Sequence, residues 1–186
     1  MTVTDWNAKQ AARAVAAAAL HATHPHLVPA NGKGGSLIAA AKNIRTELAR
    51  AFPGVAFSVK SKRFSMGDSV DVRWTDGPTT KQVDAIINRY SAGSFDGMTD
   101  SYTYDHCAWT DAFGDAKYVH STRSYSDNMV ASILRRIGAQ FGVEGLAVEA
   151  YKAGKLWNMR TDGGIEIDRE VNLALSRHTY CMTVSA

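Results

Sequence analysis

Asp96 and Asp100 flank Gly97 and Thr99 in the stretch Ser94–Asp105, and two carboxylates so close could hold a metal ion or work as an acid–base pair. The same residue types also build polar turns, in which Asp accepts backbone N–H groups and Gly allows positive φ; that structural reading is favoured. His106-Cys107, with His120 and Asp105, is the one nucleophile–base combination in the chain. Neighbouring residues of a strand face opposite ways, so His106 is badly placed to serve Cys107. His21, His24 and His26 cluster near Pro25, but their spacing matches no zinc motif. Asn31-Gly32-Lys33-Gly34-Gly35 precedes a helix, yet it lacks the glycine–lysine–serine spacing of a phosphate-binding loop. No complete catalytic signature emerges, and the chain is expected to be no enzyme and to need no metal or cofactor.

Two recognition chemistries remain. Met98, Tyr102 and Tyr104 follow the polar turn, and the two tyrosines fall on one face of an alternating strand. With Asp96 and Asp100 they form a candidate surface for a protein partner, although they could equally pack beneath a helix. Lys60, Lys62 and Arg63, beside Phe64, form a basic hairpin tip suited to phosphates and bases. Arg123, Arg135 and Arg136 are further cations for nucleic acid. Arg123 could instead pair with Asp96 or Asp100 and hold the turn.

The elements that must position these groups can be read along the chain. Alanine-rich residues 2–20 predict a helix anchored by Trp6, Val15 and Leu20, and not a signal peptide. Residues 21–35 read as a loop. Leu37, Ala41, Ile44, Leu48 and Phe52 share one face of a helix over 36–51, which Pro53-Gly54 ends. Val55, Phe57 and Val59, then Val70, Val72 and Trp74, alternate as two strands of a hairpin with a long tip from Ser61 to Ser69. A helix over 80–90 follows, then a strand at 101–106, a loop or short insertion over 107–116 and a strand at 117–121. Ser124–Asp127 reads as the cap of a helix over 127–141 with Met129, Ile133, Ile137 and Phe141 on one face. Residues 145–153 read as a short helix, Thr161–Gly164 as a hairpin turn, and 168–178 as a last helix.

The charged fraction of 21% and hydrophobic fraction of 45% are ordinary for a soluble globular protein. No apolar run is long enough to span a membrane. Cys107 and Cys181 are too few for a disulfide framework, and a reducing bacterial cytoplasm is the expected location. The net charge is only +3, but it is segregated: residues 36–66 sum to +5 and residues 67–116 to −6. Such segregation is a cue for charged partners, and also the ordinary look of two solvated faces.

Several motifs in order carry a resemblance. They are Ala41–Leu48, Phe52–Val59, Gly67-Asp-Ser-Val-Asp-Val-Arg-Trp-Thr-Asp-Gly-Pro78, Gly93–Tyr102 and Arg123–Asp127. Together they resemble the large polyvalent protein associated domain number 29, over roughly residues 36–143. The resemblance implies a module of phages, plasmids and integrative elements, found alone or within very large proteins beside antirestriction, helicase and methylase modules. It carries no catalytic residues to transfer.

The expected architecture is α+β: an antiparallel sheet of about four strands with helices mainly on one face, plus terminal helices. One domain of 186 residues is expected, with an N-terminal helix and loop (1–35), a family-like core (36–143) and a C-terminal extension (144–186). The expected function is to bind and inhibit a host defence complex, such as CRISPR or restriction machinery, as monomer or homodimer. In that reading the acidic block mimics nucleic acid. Nucleic-acid binding and a metal-dependent hydrolase using Asp96, Asp100 or the histidines are the alternatives.

Overall fold

The computed structural model describes residues 3–32, 35–105, 107–161 and 163–179. The chain divides into two compact units, one of residues 1–74 and 81–122, the other of residues 75–80 and 123–186.

The first unit starts with α1 (Val3–Thr23), which runs three residues beyond its predicted end and takes in His21. It lies against α4 (Ala108–Phe113), and Arg13 forms a bidentate ion pair with Asp111 at 2.6–2.8 Å. Val15 does not anchor it, being 71% exposed; Ala17 and Leu20 supply its contact with the core. Trp6 is another predicted anchor, but its side chain lies outside what is described.

Helix α2 (Ser36–Ala51) matches its predicted span and buries Leu37, Ala41, Ile44 and Leu48, the predicted stripe. That stripe meets Val59, Val70, Val72 and Trp74 from one face of a sheet, with Val83 and Ile87 of α3 (Thr80–Ile87) completing the layer. A 3-10 turn, Asn88–Tyr90, extends α3 and buries Tyr90. Burial and a hydrogen bond to Glu47 push the Tyr90 phenol well above its usual range, so it stays neutral in the core.

The sheet has three strands, ordered β1–β2–β5, from β1 (Ser58–Phe64), β2 (Gly67–Thr75) and β5 (Tyr118–Ser124). The predicted long hairpin tip is a two-residue turn, Ser65-Met66, because the antiparallel register closes on Phe64↔Gly67. Lys60, Lys62 and Arg63 are therefore strand residues, not tip residues. Val55 and Phe57 precede the strand and pack on the core from outside the ladder.

A second antiparallel sheet pairs β3 (Gly93–Asp96) with β4 (Ser101–Tyr104), in place of the single sheet of about four strands. The α+β class holds; the strand count is divided differently. The polar turn is the tip of this small hairpin, since a strand precedes it as well as follows it. A parallel bridge, Ser91↔Ala116, ties the approach to β3 to the run into β5. Helix α4 falls where a loop was predicted.

Buried Asn43 holds the 24–32 segment in place. It accepts from Val28 N–H at 2.8 Å and donates to the carbonyls of Val28 and Phe113, both at 2.8 Å. The histidines of this region pack on rings. His21 meets Phe113 edge-on, and His24 meets Trp109 and Phe113 edge-on.

The second unit is built on α5 (Asp127–Phe141), which Ser126 caps by accepting Met129 N–H at 3.2 Å. Gly142, with φ of 66°, ends the helix in the left-handed conformation. Met129, Ile133 and Ile137 pack with Leu156 and with Ile167, Val171 and Leu175 of α7 (Ile167–Arg177). The short α6 (Val148–Lys152) lies between them in sequence. The hairpin predicted around Thr161–Gly164 is reduced to one bridge, Arg160↔Glu166.

Candidate nucleic-acid interface

Strand alternation gives the three-stranded sheet two unlike faces. Val59, Val70, Val72 and Trp74 point to the helices. On the opposite face, Ser58, Lys60, Lys62 and Phe64 of β1 stand across from Arg73, Asp71, Ser69 and Gly67 of β2. The two lysines and Arg73 are exposed, and Phe64 is 41% exposed. No helix covers this side among the described residues of the unit.

Tyr118 and His120 of β5 add to the same face, because Val119 between them packs on the core. Their rings stack 6.0 Å apart, inclined by 10°. Phe64 stacks on Tyr118 at 6.2 Å and 20°. It reaches across β2 at the one position without a side chain. Gly67 has φ of 149°, and a Cβ there would stand 2.6 Å from Lys117 Cδ.

The small hairpin extends this row of rings. Gly93, Phe95, Tyr102 and Tyr104 share one of its faces by register, as alternation predicts for the two tyrosines. Tyr102 meets Tyr118 edge-on at 5.6 Å and Tyr104 at 4.8 Å. The Tyr102 hydroxyl donates to the Lys117 carbonyl, and burial raises its pKa, so the ring stays neutral. Lys117 Nζ lies 5.0 Å from the Tyr102 ring centre and 5.4 Å from that of Tyr118, while donating to the Met66 carbonyl. The result is a continuous aromatic surface, with His120 exposed, Tyr104 57% exposed, and Lys60, Lys62, Arg73 and Lys117 around it.

The predicted site residues separate on this frame. Lys60 and Lys62 lie on the open face, and Tyr102 and Tyr104 belong to the ring row. Arg63 falls on the other side of β1, across from Asp68. Arg135 and Arg136 are exposed on α5, in the second unit. Arg123 is occupied: it donates to the carbonyls of Asp76, Gly77, Leu175 and His178 at 2.7–3.2 Å, in place of a carboxylate of the polar turn.

Asp96 caps the hairpin tip. It accepts from Met98 N–H and from the Thr99 hydroxyl, each at 2.9 Å. Asp100 takes the left-handed conformation, with φ of 49°. Met98 stands between them, 97% exposed. The backbone N–H of Met98, then the Thr99 hydroxyl, hold the Asp96 carboxyl below its usual value of 3.8. A carboxyl held low contributes stability at pH above its unfolded value, and loses it as pH falls through its folded one. The Met98 amide resonance is expected to titrate with a midpoint below the ordinary value of 3.8. An NMR titration with a midpoint at or above 3.8 would mean that the carboxylate does not hold the turn.

Cys107 caps α4 through Thr110, whose hydroxyl accepts from Cys107 N–H at 3.0 Å. His120, its predicted base, belongs to the ring row. His106, Cys181 and the Lys33-Gly34 pair lie outside the described residues. Among the described residues no group of three or more His, Cys, Asp or Glu side chains is placed to hold a metal ion. Nor is any helix among them long and apolar enough to cross a membrane.

Sequence reasoning missed Tyr118, Arg73 and Lys117, and read His120 as a base rather than as part of this face. The alternation in Lys-Tyr-Val-His-Ser carried the signal for Tyr118 and His120, since an inward Val119 turns both outward.

No curated protein and no solved structure matches the chain. The model of the large polyvalent protein associated domain 29 family matches residues 36–126, stopping at the cap of α5 rather than at residue 143. Within that stretch fall α2, both sheets and every residue of the ring row. Residues 36–126 thus form the part of the chain that matches the large polyvalent protein associated domain 29 family.

Proposed function

We propose that the chain is a non-enzymatic accessory protein of a mobile element and that it binds nucleic acid through the open face of its three-stranded sheet. The observation that carries this reading is a row of rings in which the exposed Phe64 and His120 stack on the half-buried Tyr118, with Lys60, Lys62, Arg73 and Lys117 nearby. Asp71 stands among the cations by register, and Asp115 lies near Tyr102. Cations attract phosphate, and rings give bases a surface to cover.

Each phosphate neutralised releases counterions, so binding through three or four cations should weaken with a log–log salt slope of about −2 to −3. Replacing Lys60 and Lys62 together by glutamine is expected to flatten that slope by about 1 to 1.5. Fluorescence anisotropy with labelled oligonucleotides across salt measures it. Binding indifferent to both salt and these lysines would refute the reading.

A second reading has its own observation. Met98 and Phe95, 97% and 53% exposed, stand on a tip that Asp96 holds in shape, as an apolar anchor for a protein would. Inhibition of a host defence complex would then run through Asp96, Met98, Asp100, Tyr102 and Tyr104. It predicts a stoichiometric complex with a defence component that survives nuclease and is lost in Met98→Asp, while the Lys60/Lys62 variant keeps it.

A further inference from the structure

We infer that the ligand of this face is an unpaired nucleic-acid strand, its bases stacked on the exposed rings and its phosphates beside Lys60, Lys62 and Arg73. The inference rests on the nucleic-acid reading and specifies its substrate class.

Three features of the face separate a single strand from a duplex. The first is what the rings offer. Phe64, Tyr104 and His120 are exposed, while Tyr102 and Tyr118 lie half-buried between them and fix their positions through contacts of 4.8–6.2 Å. A ring gains by covering the flat of a base, and a duplex keeps those flats inside its own stack. The second is shape. Reading a duplex in its major groove requires a helix or a two-stranded ribbon that enters the groove. Here the cations stand on the broad side of a three-stranded sheet. The third is charge. Lys60, Lys62, Arg73 and Lys117 stand against Asp71 and, near Tyr102, Asp115, so the positive excess is small, and Lys117 already donates to the Met66 carbonyl. So few phosphate contacts give weak sequence-independent attraction by themselves, and the stacking rings must supply most of the affinity.

The sheet also fixes a layout. Lys60 and Lys62 recur along one strand on the side that carries Phe64, and Tyr118 with His120 lie two strands away. A backbone following β1 would place its bases over β2 toward β5. Gly67 keeps that path low at Phe64, because any side chain there would collide with Lys117.

The test is anisotropy of the full chain with labelled twelve-nucleotide oligothymidine and oligouridine, and with a mixed-sequence duplex of the same length. Single strands are expected to bind at least about tenfold more tightly than the duplex. His120→Ala and Tyr104→Ala, both at exposed positions, should each weaken single-strand binding by about 5- to 100-fold, and Tyr104→Phe should retain it. The deoxy and ribo arms tell which sugar the face prefers, and either preference supports the inference. Equal affinity for strand and duplex, with the ring variants inert and the lysine variants weak, would overturn the single-strand inference and leave the sheet-face reading standing. Loss of binding to every oligonucleotide tested would remove both.

Discussion

Replacing Asn43 by alanine is expected to destabilise the first unit by about 3–5 kcal/mol, lowering its melting temperature by about 10 °C. Asn43 is 1% exposed and makes three hydrogen bonds, to Val28 N–H, the Val28 carbonyl and the Phe113 carbonyl. Alanine removes its end of all three. The backbone groups left behind belong to a loop and to the end of α4, where no ladder can take them up. A buried backbone group without a partner costs about 1–3 kcal/mol, so the sum follows from the partners, not from the lost side chain. Asn43→Asp separates this account from simple packing. It keeps the volume and the acceptor for Val28 N–H but loses both donors, and sets a carboxylate against two carbonyls. It should be at least as unstable as the alanine variant at neutral pH and recover in part in acid, where a protonated carboxyl donates again. Thermal unfolding read by near-ultraviolet dichroism checks both. Melting within about 3 °C of wild type for Asn43→Ala would show that the loop is held by other means.

Asn43 also shows where sequence reading stops. The α2 stripe of Leu37, Ala41, Ile44 and Leu48 is legible because burial imposes a period, and the helix appears as predicted. The same holds for α5. Asn43 sits on that helix beside the stripe, and nothing local says that a carbonyl seventy residues away needs its amide. Strand pairing fails for a related reason. Alternation shows which face a side chain takes, and it placed Tyr102 and Tyr104 together. It does not tell that β3–β4 closes on itself while β5 joins β2, because that choice depends on partners distant in sequence. The candidate site inherits this limit. Lys60 and Lys62 were legible as cations beside an aromatic, but Tyr118 and His120 join them only through strand order. Arg123 was legible as a cation, and its carbonyl partners were not.

Arg123→Ala is expected to cost the second unit about 2–4 kcal/mol and to leave oligonucleotide affinity unchanged. The guanidinium donates through Nε to the Asp76 carbonyl, through Nη1 to that of Leu175, and through Nη2 to those of Gly77 and His178. It thereby ties the 75–80 turn to the end of α7, where the last carbonyls of a helix have no partner within it. Burial lowers its pKa from the ordinary arginine value, with Tyr125 and Asp76 opposing the shift, and an arginine so far above neutrality keeps its charge regardless. The planar fork matters more than the charge. A lysine carries one point of donation and cannot reach oxygens on both sides, so Arg123→Lys should recover less than half of the lost stability. Arg123→Met keeps most of the apolar stem against Tyr125 and should behave like alanine if the carbonyl bonds dominate. Denaturant unfolding of the three variants separates these terms. Full rescue by lysine would mean that charge alone is needed there. An oligonucleotide affinity that fell with Arg123→Ala at unchanged stability would return this arginine to the binding surface and contradict its role as a clamp on backbone carbonyls.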